Sequence, residues 1–170
     1  MSDSTPRVYV GTYGKYNNGS IEGAWLTLED YADKDAFLEA CAELHKDESD
    51  PEFMFQDHEC IPSGMIGESF VSDDLWDWLE LDEDDRELLA VYQDNVDESA
   101  DIDRARESFQ GRWNSKLDWA YDYWESTGLL ASIPDNLQCY IDYEAYVRDC
   151  ECGDVHFVYH DGEYWAFNNY

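Results

Sequence analysis

Residues 72–87 read "SDDLWDWLELDEDDRE", with nine carboxylates, one arginine, two tryptophans and three leucines. Leu75, Trp76, Trp78 and Leu79 fall on one face of a helix that Ser72 is placed to cap. Asp82 is placed to cap a second helix. Asp85 then lies near N3, and Leu88, Leu89, Tyr92 and Val96 follow along one side. An acidic disordered tail is poor in aromatics and has no such face. The spacing therefore predicts short folded helices that carry their charge on the outside.

The charge exceeds what helix ends need. Acids in a first turn are favourable by about 0.3–1 kcal/mol each. That accounts for Asp73 and Asp74 and for two of the four acids from Asp82 to Asp85. On one continuous helix, Asp73, Asp77, Glu80 and Asp84 would share a face, where like charges cost about 0.2–0.5 kcal/mol per pair. Asp94, Asp97, Glu98, Asp101 and Asp103 follow with hardly a base among them. Solvated helix faces are the plain alternative to function. The candidate target-binding residues are Asp73, Asp74, Asp77 and Glu80, then Asp82, Glu83, Asp84, Asp85 and Glu87, then Asp94, Asp97, Glu98, Asp101 and Asp103.

Outward from this segment the chain of 170 residues divides in three. Residues 1–61 hold 14 acids and 4 bases, residues 62–103 hold 15 and 1, and residues 104–170 hold 12 and 5. In the first part "RVYVGTY" and "GAWLTL" read as strands around the turn cluster "GKYNNGS". A helix is expected from Asp33 to Lys46, with Phe37, Leu38, Cys41 and Leu44 or His45 at helical spacing. "PEFMFQDHECIP" reads as a third strand. The middle part reads as helices, the last from Ser99 to Phe109. The final part opens with a helix over "WNSKLDWAYDYWEST", ended by Gly128, with Trp113, Leu117, Tyr121 and Trp124 as its stripe. "YEAYVRDCE" is a further helix, and "DVHFVYHDGEYWAFNN" is a hairpin turning at Asp161-Gly162. The expected fold is α+β: an elongated chain of three small domains, an α+β domain at 1–61, an acidic helical domain at 62–103 and an α+β domain at 104–170.

Other readings lose ground on chemistry. An EF-hand loop needs a glycine at its sixth position, and no acidic run has one. Cys150, Cys152, His156 and His160 have a spacing open to zinc, but they also suit ordinary packing beside a turn. No metal, no cofactor and no catalytic constellation is expected. No apolar run is long enough to span a membrane, and the N-terminus lacks a basic-then-apolar leader. Five scattered cysteines suit reduced thiols, so a cytoplasmic protein is expected. A net charge of −31 would be repelled by nucleic acid and by anionic lipid.

What such a surface suits is a basic groove. Duplex DNA carries one charge per about 1.7 Å of axis, so 31 charges match roughly 53 Å of duplex. A compact globule of this length has a radius of gyration of ~15 Å and hence a diameter of about 40 Å, which is too short for that track. Three modules in a row, or a dimer, would lengthen it. The composition thus points to a decoy that presents carboxylates where DNA presents phosphates. Its buried tryptophans and leucines would keep the acids in place and lower the ordering cost of binding.

Three stretches carry a family resemblance: "RVYVGTYGKYNNGSIEGAWLTLEDY", "DPEFMFQDHECIP" and "LLASIPDNLQCYIDYEAYVRDCECGDV". In that order they resemble the ArdA-type antirestriction proteins over most of the chain, least so between about residues 80 and 110. The last stretch is similar to the family's antirestriction motif, at Ile133, Pro134, Leu137, Tyr140, Asp142, Tyr143, Glu144, Arg148 and Asp149. Cys150 and Cys152 fall outside that pattern. The resemblance implies a DNA-mimicking inhibitor of type I restriction–modification enzymes, carried by mobile genetic elements. It implies an elongated homodimer of three-domain chains, joined through the C-terminal domain, that occupies the DNA groove of the methyltransferase core. Two other classes stay open: an acidic chaperone of basic DNA-binding proteins, and a halophile-adapted protein of other function. A halophile would spread its acids over all faces.

Overall fold

Alternation in the first strand decides which side of it is covered. The computed structural model describes residues 5–169, and the chain folds as two units, one up to Asp82 and one from Glu83 onward. The N-terminal expectation rests partly on residues 1–4, which lie outside the described residues.

In the first unit β1 (Arg7–Thr12) is the central strand of an antiparallel sheet in the order β2-β1-β3, with β2 at Ala24–Thr27 and β3 at Phe53–Glu59. Val8 and Val10 point to the core, two residues apart, as the period of a strand requires. They meet Phe37 and Cys41, four residues apart on α2 (Lys34–Leu44). Asp33 caps that helix by accepting the Ala36 amide at 2.8 Å. Ile66, Val71 and Leu75 close the same core.

The expected turn cluster after β1 begins instead with a short helix, α1 (Tyr13–Asn17). Thr12 accepts the Lys15 amide at 3.2 Å and so caps it. Gly19, at φ +83°, then takes the left-handed conformation that turns the chain. At the other end of the unit lies α3 (Leu75–Glu80). Ser72 does not sit at its cap position. Its hydroxyl accepts the Asp74 amide at 3.2 Å, two residues on, which forms a turn and delays the helix to Leu75. Trp76 Nε1 donates to the Tyr31 carbonyl at 3.1 Å and ties α3 to the body of the unit.

The second unit places α4 (Glu83–Asn95) and α5 (Ile102–Ser108) before a second antiparallel sheet, in the order β4-β6-β5. Its strands are β4 (Phe109–Trp113), β5 (Val155–His160) and β6 (Glu163–Asn168). The β5–β6 turn has both Asp161 and Gly162 at positive φ, +49° and +83°, as a two-residue hairpin of this hand needs. Between β4 and β5 run α6 (Lys116–Ser126), two short 3₁₀ turns (Leu130–Ser132 and Asp135–Tyr140) and α7 (Tyr143–Glu151).

Two expectations change here. The helix foreseen from Ser99 starts at Ile102, because Asp101 accepts the Arg104 amide at 2.9 Å and caps it there. Directly after it comes the unforeseen β4. Trp113 therefore belongs to a strand, and α6 starts only after Ser115, which caps it through the Asp118 amide at 3.0 Å. The buried face of α6 is Trp119 and Ala120, with Tyr123 beside them, and Tyr121 is 48% exposed. Aromatics lie all around this helix, so composition offers two stripes. Packing selects the one on which Trp119 stacks with Tyr146 of α7 and donates to Gln110 of β4 at 2.8 Å.

The architecture is α+β in both units. The boundary between them falls inside the most acidic stretch, after Asp82, and not at either of its ends. Among the described residues, no helix is long and apolar enough to cross a membrane.

Candidate functional site

The continuous helix that would align Asp73, Asp77, Glu80 and Asp84 does not form. Leu81 is extended, with ψ 143°, so α3 stops at Glu80 and α4 begins afresh at Glu83. The acids of residues 73–80 are thereby carried by the first unit and those of 83–103 by the second.

On α3 and the turn before it, Asp73, Asp74, Asp77 and Glu80 are all exposed. Asp73 lies 2.7 Å from Lys34 Nζ, yet its side chain keeps 90% of its exposure. A pair that open to water is worth at most about 1 kcal/mol. Asp82 is also exposed.

On α4 the acids fall into two groups. Leu88, Leu89, Val91 and Tyr92 are buried, and Asp85 stands at i−4 from Leu89 and i−7 from Tyr92, on the same stripe. That register explains why its side chain is only 21% exposed. It also explains the partner. Arg106 of α5 grips both carboxylate oxygens, through Nε at 3.3 Å and through Nη2, and its Nη1 lies 3.5 Å from Asp103. A forked pair of this kind is stronger than a single contact. Glu87 is the second inward acid. His160 Nε2 lies 3.0 Å from its Oε1, and the imidazole stands edge-on to Trp165 at 5.3 Å. Tyr92 Oη and Ser108 Oγ, 3.1 Å apart, join α4 to α5 in the interior, and Gln93 Nε2 donates to the Ala100 carbonyl at 2.8 Å.

Two loop acids, Asp97 and Asp101, serve local structure. Asp97 accepts the Ser99 hydroxyl at 2.7 Å and the Ser99 amide at 3.0 Å, and these bonds hold its carboxyl below the ordinary range. Asp101 caps α5, as above. The remaining acids, Asp74, Asp77, Glu80, Glu83, Asp84, Asp94 and Glu98, are exposed. Among the described residues their side chains have no hydrogen bond or ion pair. First-turn placement stabilises Glu83 and Asp84 against the α4 dipole by about 0.3–1 kcal/mol each.

The segment from Ile133 to Asp149 is built differently. Leu137 is 48% exposed and Tyr140 is 80% exposed, both on the second 3₁₀ turn, with exposed Pro134 before it and half-buried Ile133 before that. Gln138 was not singled out in the sequence. Its Nε2 donates to the carbonyls of Leu130 and Ile133, each at 3.1 Å, and so ties the two turns together. An amide side chain between two apolar ones gives no warning of that role. Asp142 caps α7 through the Ala145 amide at 3.0 Å. Tyr143 packs edge-on against Tyr121 and Trp124. Glu144, Arg148 and Asp149 face solvent.

The cysteine–histidine set is dispersed into separate roles. Cys150 is buried beside Tyr146, and burial pushes its thiol pKa up. Cys152 is exposed, and His160 is engaged by Glu87. Among the described residues, no three histidine, cysteine or acidic side chains gather as a metal would need. In the first unit, burial pushes the Cys41 thiol up to about 12, which leaves it protonated and unreactive at neutral pH.

A search among curated proteins finds no match to the chain. The model of the antirestriction protein family ArdA matches residues 8–164, nearly the whole chain. The chain belongs to that family.

Proposed function

From membership in the ArdA antirestriction family we propose that this inhibitor works as a DNA mimic. It fills the DNA groove of a type I restriction–modification enzyme, at the methyltransferase core, and keeps DNA out. The observation that carries the reading is the sorting of acids on α3, α4 and the loop before α5. Apolar side chains face in, Arg106 grips the inward Asp85, and Asp74, Asp77, Glu80, Glu83, Asp84, Asp94 and Glu98 are left on display. In this reading residues 62–103 form a functional module, although their two halves fold with different neighbours.

Physical chemistry supports this choice. A basic groove attracts a −31 chain from a distance, which speeds encounter. Carboxylates fixed on helices lose little freedom on binding. The helix rise sets Asp84 and Asp94 about 15 Å apart along α4. Duplex DNA rises that far in roughly four to five steps of 3.4 Å. A homodimer would extend the acidic track to the length of duplex that such a groove holds. The exposed Leu137 and Tyr140 supply apolar area for that association. The protein would act in the cytoplasm, where restriction enzymes meet incoming DNA, with neither nucleic acid nor membrane as partner.

The test is displacement. The protein is titrated into a type I methyltransferase bound to a labelled duplex, at several salt concentrations. The expected result is stoichiometric release of DNA that weakens as salt rises. Retention of DNA at low salt, with excess folded protein present, rejects the reading for that enzyme.

A further inference from the structure

Cations are scarce in this chain, with 10 lysines and arginines against 41 acids, so where each one is spent carries information. Arg106 is spent on Asp85 and Asp103. Asp85 lies on the apolar stripe of α4, one turn before Leu89, and faces α5. Without a cation there, the first turn of α4 would have to turn a mostly buried carboxylate back to water. That same turn carries Glu83 and Asp84, which point outward. Their direction therefore depends on how Asp85 is held.

We infer that Arg106 is a positioning residue of the binding surface: its fork on Asp85 fixes the N-terminal turn of α4 and thereby aims Glu83 and Asp84 at the target. The inference rests on the DNA-mimic reading. It adds a residue of the opposite sign to a surface otherwise defined by acids. Arg106 touches no target in this account and acts through Asp85 and Asp103.

The sign of the effect separates positioning from bulk charge. Arg106→Gln makes the chain one charge more negative. If net charge governed binding to a basic groove, this variant would bind more tightly. If Arg106 positions the surface, it binds more weakly. The paired variant Asp85→Asn/Arg106→Gln keeps the net charge unchanged and leaves no buried ion without a partner. It therefore tests geometry alone and also guards against a single variant that fails to fold. Arg106→Lys keeps the charge but loses the fork.

The experiment measures displacement of duplex from the methyltransferase by wild type, Arg106→Gln, Arg106→Lys and the paired variant. Circular dichroism and melting curves accompany each, and the slope of affinity against salt is recorded. Expected are a loss of about three- to tenfold for the paired variant and for Arg106→Gln, as pre-organisation is lost, partial rescue by Arg106→Lys, and a shallower salt slope for the paired variant. A folded paired variant with the affinity and salt slope of wild type overturns the inference. So does Arg106→Gln binding as tightly as wild type or more tightly. Failure of wild type to displace DNA sinks the mimic reading itself, and is read from the same plate before any variant is compared.

Discussion

Between Glu83 and Asp103 the leucines and the tyrosine are buried, and most outward side chains are carboxylates. Between Ile133 and Tyr140 the exposure is reversed. Leu137 and Tyr140 stand in water, while the polar Gln138 is turned inward onto backbone carbonyls. Both segments lie in the second unit. The difference separates two kinds of contact. A surface of fixed anions suits a basic partner, gains from electrostatic steering and weakens with salt. Exposed apolar side chains on a short, tied segment suit contact by burial, which salt does not screen.

The largest effect expected from this contrast is on the acidic side. Replacing Asp77, Asp84 and Asp94 together by Asn should weaken binding to the restriction enzyme about tenfold, since each exposed ion contact is worth ~0.2–1 kcal/mol. The melting temperature should hold or rise, because self-repulsion is relieved. Isothermal titration and a melting curve check both at once. Loss of all binding from one of the three changes would point to a discrete site and break the picture of distributed charge.

A smaller effect is expected on the apolar side. Leu137→Ser/Tyr140→Ser should alter the unfolding free energy by less than about 0.5 kcal/mol per change, as exposed substitutions do. It should shift the proposed dimer to monomer in sedimentation, and high salt should not reproduce that shift. Unchanged sedimentation would remove this segment from the association surface.

The smallest effect concerns Asp97. Its carboxyl is depressed in the folded state by the two Ser99 hydrogen bonds. It therefore adds stability above its unfolded pKa of about 3.9, and that stability is lost as pH falls through the lower folded value. Protonating the other acids relieves repulsion and acts in the opposite direction. The useful quantity is the difference between wild type and Asp97→Asn. Wild type should lose more stability than the variant as pH falls below about 4. Parallel acid limbs would show that Asp97 contributes nothing.

Local signals were legible where one residue type has one use. The helix expected from Asp33 begins at Lys34, the one expected over "YEAYVRDCE" spans Tyr143–Glu151, and Asp161-Gly162 makes the expected hairpin turn. The apolar faces of the acidic helices were legible from spacing alone. What escaped depends on distant partners. Trp119 and Tyr121 are equally apolar on paper, and only Tyr146 and Gln110 decide which is buried. β4 follows α5 without a breaker, and its pairing partner lies more than 50 residues on in β6. Among the acids, composition made Asp84 and Asp85 equal. Register with Leu89 and Tyr92 hints that Asp85 turns inward, but its cation sits 21 residues away and no local rule finds it.

Carbodiimide labelling of carboxylates, read by mass spectrometry with and without the methyltransferase, tests the central claim most directly. In the free protein Asp85 should label slowly and Glu83, Asp84, Asp94, Asp77 and Glu80 quickly. On binding, this second set should become protected while Asp135 and Glu144 keep their rate. Protection confined to residues 133–149, with the acids of α3 and α4 still open to reagent, would contradict the account.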